Sequence, residues 1–166
     1  FYDYFVSLQV SETAAKYLNM LCLVLILAVV IYITDYIARR ILVNAFTKFS
    51  AKSKTNFDDL LVNHKAPRNI AHIVPLIITI KIFPVVFYDF PHFESYIVTI
   101  LKVYGVFLTI WIIKSLLKTF ESYFKTLPRL KDKPIDSYIQ VAMLFVWIIG
   151  IASCLAILID LSFIKF

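Results

Sequence analysis

Glycine is almost missing from this chain: Gly105 and Gly150 are the two in 166 residues. That excludes a glycine-rich loop of the kind that cradles phosphates, and it suits long uninterrupted helices. Cysteine is equally sparse. Cys22 and Cys154 both sit inside apolar runs without metal-ligand spacing, so they read as small packing residues, and a disulfide between them has weak support. There is no Ser/His/Asp triad, no His/Cys metal cluster, no internal repeat and no low-complexity segment. The expectation is therefore a protein that is not an enzyme and carries no cofactor. No cleavable signal peptide is visible, because the first strongly apolar run is long enough to cross a bilayer. The chain begins at Phe1 rather than Met, which suggests a piece of a longer protein.

What is abundant is apolar surface. Hydrophobic residues make up 61% of the chain and the mean hydropathy is +0.82, whereas soluble domains run nearer half apolar. Four runs have the roughly 20 mostly apolar residues that a bilayer crossing needs. They lie at about 17–43, 70–88, 96–117 and 138–159. Such runs are too long for strands, and helices satisfy their own backbone groups in lipid. The fold class expected is an all-α membrane protein: four transmembrane helices with short interfacial helices. Residues 1–16 form an outer segment, 17–160 the helical domain, and 161–166 the start of a link onward.

Charge orients the spans. Arg39, Arg40, Lys48, Lys52, Lys54, Lys65 and Arg68 lie between the first and second. Lys114, Lys118, Lys125, Arg129, Lys131 and Lys133 lie between the third and fourth. The link between the second and third, YDFPHFES, has neither Lys nor Arg. The positive-inside rule then places both termini outside and both long loops in the cytoplasm. The net charge of +6 comes from these local clusters, so it reports orientation and lipid contact rather than a nucleic-acid partner.

Local signals refine this picture. Ser11 and Glu12 are the cap and first-turn acid of the helix that enters the membrane. Asp35 and Arg39 are four residues apart on one helix face and form an ion pair. His72 reads as a hydrogen-bonded packing residue, and Pro75 and Pro84 as kink points. Phe87, Tyr88, Phe90, Phe93 and Tyr96 form an aromatic belt at the outer link. In KSLLKTFESYFKTLP, Leu116, Leu117, Phe120, Tyr123, Phe124 and Leu127 recur at helical spacing opposite Lys114, Lys118, Glu121 and Lys125. That pattern fits a helix in the headgroup plane, or equally one packed against its own protein.

Asp58 and Asp59 are the one pair of adjacent carboxylates in the basic loop. Neighbours on a helix point about 100° apart and share no face, and magnesium needs several converging oxygens. The preferred reading is a helix start. Thr55 is the cap, Asp58 takes the third helical position as in a capping box, and Asp59 adds charge to the same turn.

KTNFDDLLV, followed by a basic loop and a proline-containing span, resembles the membrane region of the MscS-like mechanosensitive channels. KPIDSYIQVAMLFVWIIGIASCLAILIDLS is similar to the family's penultimate transmembrane helix, and the five-span YbdG-like branch is the nearest. The resemblance covers roughly 53–162. It implies a homo-oligomer, a heptamer, in the bacterial inner membrane that opens under membrane stretch during osmotic downshock. The chain departs from the family by stopping at DLSFIKF, where a pore helix rich in glycine and alanine would begin. The segment is thus expected to hold the sensor helices, without pore helix, pore residue or β-rich cytoplasmic domain.

Within that reading Lys81 and Lys102 are intramembrane charges about ten residues from the tip of their hairpin, where they anchor lipid phosphate or merely snorkel. Arg39, Arg40, Lys114 and Lys118 are the lipid-contact candidates at the cytoplasmic side, and membrane lipids are the expected partner. Two rival readings remain: a membrane enzyme holding a metal on Asp58 and Asp59, and a helical subunit of a larger complex.

Overall fold

A computed structural model describes residues 11–50, 56–128, 130 and 133–163, with the backbone alone at His92 and 161–163. Among the described residues there are six α-helices and no strand. They are α1 (Glu12–Ser50), α2 (Phe57–Asn63), α3 (Ala66–Ala71), α4 (Ile73–Val86), α5 (Pro91–Thr126) and α6 (Ile135–Phe163). The joined α3–α4 segment together with α1, α5 and α6 supplies four helices long and apolar enough to cross a membrane.

The start of α1 follows from its cap. The Ser11 hydroxyl accepts the Ala14 N–H at 3.4 Å, and Lys16 reaches back to Glu12 at 3.0 Å. No proline or glycine interrupts the next 39 residues, so α1 runs about 58 Å. That is nearly twice the ~30 Å hydrocarbon thickness, and the last turns through Ser50 carry the chain past the apolar stretch. α5 does the same over 36 residues. The amphipathic stretch after Lys114 is thus the continuation of the third span. Its apolar stripe meets the protein itself: Phe57 of α2 lies against Phe120 and Tyr123, with ring centroids 5.4 and 5.3 Å apart.

The second span is broken. His72 separates α3 from α4, and Pro75 follows three residues later. A proline ring collides with the carbonyl four residues back, here that of Ala71, the last residue of α3. The interruption is the local cost of that collision. Pro84 sits two residues from the end of α4 and interrupts nothing. Lys65 opens α3 from the left-handed region, with φ 61°.

The helices form an open row. α1 packs on α2, α3 and α4, α5 packs on α2, α3, α4 and α6, and α6 meets α5 alone among the described helices. Burial follows this order. Only 6% of the apolar window of α1 and 6% of that of α6 is buried, against 28% for the α3–α4 span and 17% for α5. The outer two are therefore the edges of a layer. The core is small: Leu27 of α1 meets Phe83, Val86 and Phe87, with Ile97 and Leu101 of α5 against them. Phe83 and Phe87 stack at 4.3 Å. Phe87, expected in the outer belt, is thus buried in the core, while Tyr88 is 83% exposed. Cys22 and Cys154 are both free.

Gly150 has a packing role. An added Cβ there would stand 3.2 Å from Ile110 Cγ1 and closer still to its Cδ1. The missing side chain is what lets α6 approach α5.

Candidate functional site

Trp111, Lys114, Ser115 and Lys118 recur at three- and four-residue spacing, which puts them on one face of α5. Opposite that face stands the turn between α2 and α3, which contributes Asn63, His64 and Lys65, followed by Asn69. Together they line an open cleft of about 360 Å³. Two hydrogen bonds fix its walls. His64 Nε2 lies 2.8 Å from Ser122 Oγ, and Asn69 Nδ2 donates to Ser115 Oγ at 2.6 Å. Lys65 is the one non-glycine residue with positive φ among the described residues. A left-handed conformation costs an ordinary residue about 1–2 kcal/mol. It is held because the Lys65 N–H donates to the Val62 carbonyl and its own carbonyl accepts the Asn69 N–H, both at 3.0 Å. The cleft is lined by three ammonium groups and no carboxylate.

Lys114 and Lys118, two of the expected lipid-contact candidates, stand on this cleft, and Lys65 joins them although nothing local in the sequence links it to α5. The other candidates lie elsewhere. Arg40 is exposed on α1 and Lys81 is exposed on α4. Lys102 lines a separate cleft of about 320 Å³ between α5 and α6, shared with Glu94 and Asp160. Two carboxylates beside one ammonium make that cleft a poor seat for a phosphate alone.

Arg39 belongs to a third group. Its guanidinium pairs with Asp35, as the spacing predicts. The structure adds His72, whose Nδ1 comes within 2.9 Å of Asp35 Oδ1. Arg39 Nε is buried without a hydrogen-bond partner among the described residues. His72 is the residue at the break between α3 and α4, so the Asp35 carboxylate ties α1 to the break in the second span. Both line an apolar groove of about 510 Å³ with Tyr32, Pro75, Leu101 and Tyr104.

The adjacent carboxylates diverge. Asp59 accepts a hydrogen bond from the Ser50 hydroxyl at the end of α1. Asp58 lines an apolar groove with Ala45, Phe46 and Phe49. Thr55, the expected cap, lies outside the described residues; α2 opens after Asn56 with no side-chain cap bond. The described residues hold no group of three or more His, Cys, Asp or Glu arranged for a metal.

No family model, curated protein or solved structure matches this chain.

Proposed function

We propose that this chain is the lipid-facing, tension-sensing membrane region of an MscS-like mechanosensitive channel, in a bacterial inner membrane with both long basic loops in the cytoplasm. One observation carries the reading: the spans form a single open layer whose two edge helices bury only 6% of their apolar windows. Apolar residues exposed on both edges need lipid around them. Examples are Tyr32 at 74% and Ile41 at 63% on α1, and Ile149 at 64% on α6. A thin layer in contact with lipid along most of its surface changes its tilt or footprint when the bilayer is stretched. Membrane tension multiplied by that change in area is work available for gating.

The test is patch-clamp recording under suction, from a channel-deleted bacterial host expressing the gene product that contains this segment. Currents that open with tension, and whose threshold moves when the α5–α6 contact is altered at Gly150, support the reading. Silence with verified membrane insertion refutes it.

A further inference from the structure

We propose that the cleft between the Lys65 turn and α5 is a seat for a phosphate group carried by an anionic phospholipid. The inference rests on the membrane placement of the helices and not on the channel reading.

Charge is the first argument. Lys65, Lys114 and Lys118, all exposed, line one cleft without a carboxylate, and like charges brought together on one surface repel less once an anion joins them. The contrast lies in the same molecule, where Lys102 shares its cleft with Glu94 and Asp160. Position is the second argument. The apolar stretch of α5 ends at Ile113, and Lys114 begins the basic part. Trp111, 51% exposed, stands one turn earlier, at the level where indole rings sit among headgroups. A phosphate in the cleft would therefore have acyl chains running beside Trp111 along the apolar part of the helix. Basic pockets between transmembrane helices have this chemistry for lipid headgroups.

Donors and size agree. The Asn63 amide and the Ser115 hydroxyl add uncharged polar groups to the walls. A volume of about 360 Å³ corresponds to roughly a dozen waters at about 30 Å³ each, enough for a phosphodiester headgroup. The strained Lys65 backbone brings the third ammonium to a wall that α5 alone cannot supply.

The experiment uses the full chain with Trp147→Phe, which leaves Trp111 as the sole tryptophan reporter. It is placed in phosphatidylcholine nanodiscs containing small amounts of either brominated phosphatidylglycerol or brominated phosphatidylcholine. Quenching of Trp111 should reach half its limit at a tenfold or lower fraction of the phosphatidylglycerol. Lys65→Gln, Lys114→Gln and Lys118→Gln should each cut the preference about fivefold at most, and together abolish it. Lys→Arg at all three positions should retain it, which separates lost charge from lost fold. Inorganic phosphate is the second arm. If it erases the preference while chloride at equal ionic strength does not, the seat belongs to a free anion and the lipid assignment falls. Equal quenching by both lipids, or an unchanged preference in the triple Gln variant, overturns the proposal. Tension-gated currents are a separate readout, so loss of one claim does not remove the other.

Discussion

Gly150→Ala is the sharpest perturbation of the layer, because α6 is held through α5 alone among the described helices. The new Cβ would stand 3.2 Å from Ile110 Cγ1, closer to Cδ1, and 3.8 Å from Val106 Cγ1. Ile110 is 3% exposed and has little room to retreat. Overpacking of this kind costs about 1–3 kcal/mol. Alanine's better helix propensity returns up to about 1 kcal/mol, so the single variant alone gives an ambiguous number. A cycle with Ile110→Ala removes the ambiguity. The propensity gain is the same in both backgrounds and cancels, while the collision exists only against isoleucine. The expected coupling is about 1–3 kcal/mol, with Gly150→Ala neutral or stabilising once Ile110 is alanine. SDS titration of the purified protein in a Trp111→Phe background, followed by Trp147 fluorescence on α6, measures all four corners. Coupling below about 0.5 kcal/mol, the usual limit of additivity, would refute the close approach of α5 and α6 at Gly150.

Asp35→Asn removes the charge that both Arg39 and His72 face. It should cost roughly 1.5–3 kcal/mol, more than His72→Ala, which leaves the Arg39 pair intact; equal losses in the same titration would contradict a shared carboxylate. Phe57→Ala should release α2 from Phe120 and Tyr123. Since Phe57 is only half-buried, the loss should stay below the roughly 3 kcal/mol at which a fully buried phenylalanine begins. Hydrogen exchange should rise across Phe57–Asn63 and leave α6 unchanged; faster exchange in α6 would contradict the layer order. Ser50→Ala should remove the bond to Asp59 and loosen the end of α1 against α2, read as faster exchange at Thr47–Ser50 with no change near Gly150.

The number and approximate extent of the spans are written in the sequence, because an unbroken apolar run of that length can satisfy its backbone in lipid only as a helix. The Ser11 cap and the Asp35–Arg39 pair were equally legible, since both depend on spacing along one helix. The order of helices was not. A helix apolar all round advertises no preferred face, so α6 gives no sign in its residues that α5 is its neighbour, apart from the absent side chain at Gly150. The same holds for the sites. Lys114 and Lys118 are close in sequence, but Lys65 joins them only because α2 and α3 fold back onto α5. His72 reaches Asp35 across 37 positions, and Asp160 shares the Lys102 cleft across 58, by helix packing alone. Local hydrogen bonding and the solvent preference of each segment determined the helices. Which charged ends meet was decided by tertiary packing, because that depends on contacts between segments no short stretch contains.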